Sequence, residues 1–87
     1  MSDEEFEKVG TISHFFAKIA VAVIDLSGTL STGDRILIRG ATTSLDQTVD
    51  SMQIDRVDIK AASAGQSVGL KVNDRVREGD IVYKING

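Results

Sequence analysis

Few side chains in this 87-residue chain could carry covalent chemistry. Ser13 and His14 are its only serine–histidine neighbours. Successive residues of a strand point to opposite faces, so the two do not form a nucleophile–base pair. The chain has no cysteine to take the nucleophile's place. With one histidine and no thiolate, a metal would rest on carboxylates, and Asp50, Asp55 and Asp58 are not spaced as a calcium-binding loop. The expectation is no catalytic residue, no metal, no cofactor and hence no enzyme.

The residues that could bind are more suggestive. In His14-Phe15-Phe16 two adjacent aromatics in a strand face opposite sides, and a small barrel has room inside for one ring. The other ring either covers a barrel mouth or serves outside as an anchor for a partner or a platform for a base. Arg35, Arg39, Arg56, Lys60, Lys71, Arg75 and Arg77 are scattered as solvated strand faces are. Arg35, Arg39 and Arg56 could still converge across adjacent strands to hold a phosphate or an acidic surface, which suits the guanidinium fork. Beside them the loop from Arg39 to Ser44, with Thr42 and Thr43, offers hydroxyls and backbone groups.

Charge narrows the partner. Residues 1–8 carry Asp3, Glu4, Glu5 and Glu7 against Lys8, which leaves nine acids and nine bases in residues 9–87. An electrically balanced body disfavours strong sequence-independent grip on phosphates, so no DNA partner is expected, while locally patterned RNA contact stays open. The longest apolar run, Ile19 to Ile24, has six residues where a membrane helix needs about twenty, so no membrane partner is expected either. With no cysteine and no leader-like opening, the cytoplasm is the expected location.

These groups must be positioned by strands. Valine and isoleucine supply 18 of the 87 residues and leucine five, and β-branched side chains fit the pleated surface. Residues 1–8 read as an acidic flexible tail and residues 9–87 as one domain. Six strands are expected: Val9 to Phe16, Ile19 to Leu26, Arg35 to Arg39, Gln47 to Arg56, Ser67 to Val72 and Ile81 to Ile85. At most one helical turn is expected, near Ile59 to Ala64. The second strand is apolar on both faces. Taking Ile19, Val21 and Val23 as inward leaves Ala20, Ala22, Ile24 and Leu26 as an outer patch of the kind that marks interfaces. On that assignment Ala22→Lys leaves the fold intact and abolishes association, and unfolding would mean the reverse assignment.

A spacing recurs three times, as Leu30-x-x-Gly33-Asp34-x-Ile36, Ala62-x-x-Gly65-Gln66-x-Val68 and Val76-x-x-Gly79-Asp80-x-Val82. Gly33, Gly65 and Gly79 are expected at positive φ, with Asp34, Gln66 and Asp80 bonding to nearby backbone donors. Short strands separated by such turns point to a barrel, since closure removes exposed edges.

Three stretches, from Leu30 to Ile36, from Ala64 to Leu70 and from Arg77 to Val82, resemble in order the signatures of the second domain of translational GTPases such as elongation factor Tu. The likeness covers residues 9–85. The whole chain resembles the small prokaryotic proteins called translation elongation factor-like, and the barrel at the C-terminus of the collagenase-like peptidase family, some members of which modify RNA. The resemblance implies an all-β, six-stranded translation-factor-type barrel. Nothing here resembles a phosphate-binding loop of GTPases, so the likeness implies fold without GTP hydrolysis. It implies a non-catalytic binding module that meets tRNA, rRNA or a translation- or RNA-modification protein. The alternative is a protein-interaction module, including homo-oligomerisation, with no RNA role.

Overall fold

The computed structural model describes residues 5–86 as strands and turns, with no helix among them and so none long and apolar enough to cross a membrane. The longer strands are β1 (Glu5–Phe16), β2 (Val21–Leu26), β4 (Arg35–Arg39), β5 (Ser44–Thr48), β9 (Ser67–Lys71) and β10 (Ile81–Asn86). Between them lie the short β3 (Leu30–Ser31), β6 (Met52–Ile54), β7 (Val57–Ile59) and β8 (Ala61–Ala62). Eight strands form one antiparallel sheet in the order β5-β4-β10-β1-β2-β9-β6-β7, and β3 pairs with β8 in a second ladder.

The six-stranded closed barrel is corrected in two respects. The eight-strand order has two edges, β5 and β7, and no ladder joins them. The expected strand from Gln47 to Arg56 is broken, because Val49 leaves the sheet to bond with Asp34 and Gly33 instead. The chain then turns back through Asp55 and Arg56, both at positive φ (51° and 66°), the backbone of a two-residue type I′ hairpin. β7 and β8 occupy the place of the expected helical turn.

The sheet nevertheless curls round one core. Gln47, on edge strand β5, sends its side-chain amide across to the far side: Nε2 donates to Lys71 O (3.0 Å) and Oε1 accepts from Asn73 N (2.8 Å). This clasp does by side chain what a closing ladder would do by backbone. Gln47 is buried, and Gln47→Leu removes both bonds, to one carbonyl and one amide of the exposed residues Lys71 and Asn73. That change is expected to cost about 0.5–1.5 kcal/mol for each bond lost, read as a fall in the chemical-denaturation midpoint without a change in slope.

The three glycine turns are built alike. Gly33, Gly65 and Gly79 all have φ of 92°, as the third position of a type II turn requires. In each, the backbone NH after the glycine returns to the carbonyl three residues earlier: Asp34 to Ser31, Gln66 to Ser63 and Asp80 to Arg77. The side-chain oxygen of the same residue accepts the NH of that earlier residue, at 2.8 Å in all three cases. Each turn is also docked by a reciprocal backbone pair. Gly33 NH meets Val49 O while Val49 NH meets Asp34 O, and Leu26 and Ile12 serve the second and third turns identically. The flanking apolar residues Leu30, Ile36, Ala62, Val68, Val76 and Val82 are all buried. A local turn pattern thus places six core side chains.

The inward face of β2 is opposite to the assumed one. Ala22 and Ile24 are fully buried and Leu26 nearly so, whereas Ile19 is 60% exposed. The register explains it. Ala22 lies between Phe15 of β1 and Leu70 of β9, and Ile24 between Ile12 and Val68, so that parity alone meets apolar partners on both sides. Ile19 and Ala20 belong to the turn before β2, with Ala20 at φ 56°.

The flexible-tail reading is corrected for residues 5–8, which form the start of β1. Glu5, Phe6, Glu7 and Lys8 pair with Asn86, Ile85, Lys84 and Tyr83, and a register shift between Lys8 and Gly10 follows. Charge does not prevent a strand whose partner β10 is already fixed in the sheet. The rest of the acidic segment, residues 1–4, lies outside the described residues, as does residue 87.

Candidate functional site

At the distal end of β1 a second register shift, between Ile12 and His14, leaves Ser13 outside the ladder. From there His14 and Phe16 share the outer side and Phe15 turns inward, where it packs against the core. The His14 and Phe16 rings meet edge to face, with centroids 4.3 Å apart at 65°. Phe16 is 46% exposed. His14 Nδ1 lies 3.1 Å from a carboxylate oxygen of Glu78 in the third glycine turn, which fixes the aromatic ledge beside that turn.

The same end gathers two further segments. Gly40 NH donates to Thr43 O and closes the loop after β4, while Asn73 to Arg77 lead from β9 into the third turn. Together they form a hollow of about 250 Å³ lined by Thr42, Thr43, Ser44, Asp74, Arg75 and Arg77. Arg75 also borders a neighbouring hollow with Phe15 and Val72 on its wall, so the two hollows adjoin at Asp74 and Arg75. Because Val76 is buried and Arg75 and Arg77 flank it, strand-like alternation sends both guanidinium groups outward. Neither has a side-chain ion pair among the described residues.

Of the sequence-derived candidates, Thr42 lines this hollow, Phe15 lines the adjoining one, and His14 and Phe16 stand on the outer side of β1, tied to the third turn through Glu78. Thr43 borders the same hollow but is itself largely buried. The cluster that Arg35, Arg39 and Arg56 could have made does not form. Arg35 is at the opposite end of β4, where Nε and Nη2 donate to the two carboxylate oxygens of Asp46 at 2.9 and 2.7 Å. Those hydrogen bonds, and secondarily the positive charge, hold the Asp46 carboxyl below its usual range. A lowered folded pKa means the pair stabilises above the unfolded carboxylate range and is lost as pH falls through the folded value. Arg56 is in the β6–β7 turn, and neither of those strands pairs with β4. Arg39 opens instead onto a cleft on the outer sheet face.

Arg75 and Arg77 are the residues that the sequence reading left among scattered cations. Their signal was the Arg-Val-Arg alternation just before a Gly-Asp turn, which marks a buried valine between two outward bases. Among the described residues no group of three or more potential ligands is placed to hold a metal.

No protein-family profile matches the chain. It is 46% identical over 77 residues to an uncharacterized protease of Methanocaldococcus jannaschii, covering 87% of this chain and 19% of that protein. It is 31% identical over 80 residues to a collagenase of Porphyromonas gingivalis, covering 90% of this chain and 22% of that one. The chain therefore spans about a fifth of the length of the curated relatives it matches. Its fold is that of the crystallised C-terminal domain of a Geobacillus thermoleovorans protein described as a U32 peptidase (TM-score 0.86, 18% identity, 92% of this chain and 93% of that one). A more distant likeness in fold links it to GDP-bound aIF5B from Aeropyrum pernix (TM-score 0.60, 16% identity, 93% of this chain and 14% of that one).

The likeness to collagenase-like peptidases is thus supported in sequence and in fold, and the likeness to a translational GTPase in fold alone. The expectation that the chain is no enzyme is corrected, because the curated relatives are named as a protease and collagenases. That expectation weighed only the side chains of a segment that corresponds to about a fifth of those proteins.

Proposed function

We propose that this chain is an RNA-contacting binding module that serves an enzyme of the collagenase-like peptidase kind in the cytoplasm of a prokaryote. It holds a structured RNA, tRNA or rRNA, at the end formed by the His14–Phe16 ledge, the loop at Thr42 to Ser44 and the pair Arg75 and Arg77. The observation that carries this reading is the convergence on one hollow of a hydroxyl-bearing loop and two arginines without an ion pair among the described residues, with the exposed Phe16 ring tied to the same turn through His14 and Glu78. Guanidinium groups take phosphate oxygens bidentately, hydroxyls take further phosphate or sugar oxygens, and a ring at the rim accepts an unstacked base. The likeness in fold to aIF5B agrees with it. Only two cations serve the site, so the expected affinity is modest and the recognition local.

Titration of labelled tRNA and rRNA fragments checks the assignment. Arg75→Ala is expected to weaken binding about tenfold, in line with loss of a hydrogen bond to a charged group. Phe16→Ala is expected to cost about 1–3 kcal/mol of binding, the range for one stacked base. Absence of binding by the wild-type chain at low salt would defeat the proposal.

A further inference from the structure

A second surface, on the outer face of β1, β10 and β4, has no role in that reading. Register partners in an antiparallel pair share a face. Phe6 pairs with Ile85, and Tyr83 pairs with Lys8 on one side and Leu37 on the other. All of them therefore stand opposite the buried Ile36, Ile38 and Val82. Phe6, Leu37, Tyr83 and Arg39 enclose a cleft of about 390 Å³, and Phe6 is 53% exposed. An apolar floor left open on a sheet face marks an interaction surface.

Charge selects the occupant. Lys8 and Arg39 flank the apolar strip, and neither has an ion-pair partner among the described residues. The nearby carboxylate on the same face, Asp46, opposite Leu37, is held by Arg35 at both oxygens. Cationic demand at the rim is thus unmet while the floor offers only apolar contact. We propose that this cleft docks an extended polypeptide segment whose apolar side chain enters between Phe6, Leu37 and Tyr83 and whose flanking carboxylates reach Lys8 and Arg39. Complementary charge at a rim fixes register and partner choice, while the apolar anchor supplies affinity.

Tyr83 is the one tyrosine of a chain without tryptophan, so intrinsic emission reports on this cleft directly. The probe is a capped peptide alternating glutamate with leucine and phenylalanine, compared with the same peptide carrying glutamine for glutamate. The acidic peptide is expected to shift Tyr83 emission saturably, and the glutamine peptide to bind at least tenfold more weakly. Arg39→Glu is expected to cut affinity at least tenfold at an unchanged thermal midpoint. If that variant misfolds, Lys8→Glu is expected to show the same loss. No emission change with the acidic peptide, or equal binding of both peptides, overturns the proposal. So does competition by tRNA, or concentration-dependent dimerisation that buries Tyr83 in the free chain, since each assigns the cleft another occupant.

Discussion

Ala22→Lys is expected to abolish cooperative folding. Ala22 has no exposed surface and lies between Phe15 and Leu70 in the core layer, with no carboxylate among its register partners. A lysine there either buries an unpaired ammonium, costing several kcal/mol, or prises β2 from its neighbours. Against a total stability of about 5–15 kcal/mol for an ordinary domain, that is decisive. Circular dichroism and size-exclusion chromatography should show an expanded chain with no sigmoidal melt. Val23→Lys, one residue along on the half-buried outer side, is expected to fold. A melt of Ala22→Lys within a few degrees of wild type would contradict the described core.

Alanine at the three glycine turns is expected to produce the second largest loss. Forcing a side chain into the left-handed region costs about 1–2 kcal/mol per residue, and the three sites share this geometry at φ 92°. Nothing lies within 4 Å of where a Cβ would stand at Gly33, Gly65 or Gly79, so the penalty is backbone strain alone. Each single variant should therefore lower the thermal midpoint by about 4–8 °C per kcal/mol. The triple variant should lose roughly 3–6 kcal/mol if the sites act independently. Gly69→Ala is the control. Its φ is not positive and its Cβ would make an ordinary 3.5 Å contact with Val21, so it should be near neutral. Unchanged midpoints in all three turn variants would show that the turns relax without strain.

These two cases also mark what could be read from sequence. The turn pattern is local: an apolar residue, two spacers, glycine, a polar acceptor and a second apolar residue lie within seven positions, and the steric demand on glycine is visible without knowing any partner. Strand β2 is the opposite case. Val21 and Val23 are as apolar as Ala22 and Ile24, and only the neighbours Phe15, Leu70, Ile12 and Val68 decide which set turns inward. The two register shifts in β1 add to the difficulty, because each reverses the parity expected downstream. The unbroken alternation from Gln47 to Arg56 concealed a departure from the sheet at Val49, whose cause is the distant turn at Gly33. At the site, the aromatic run and the hydroxyl loop were legible as residue types. The meeting of that loop with Arg75 and Arg77 depends on the segment after β9 passing beside the loop after β4, a long-range fact with no local signature.

The most direct test of the RNA-contact proposal is the salt dependence of RNA binding. Phosphate contacts release counterions, so log affinity falls linearly with log salt, by about 0.7 for each phosphate contacted on a single strand. For wild-type chain and tRNA, measured between about 50 and about 200 mM salt, a clear negative slope is predicted. Arg75→Ala and Arg77→Ala should each flatten it by about 0.7, while Arg56→Ala, at the β6–β7 turn, should leave it unchanged. Binding without salt dependence, or the same slope after both arginines are removed, would contradict the account.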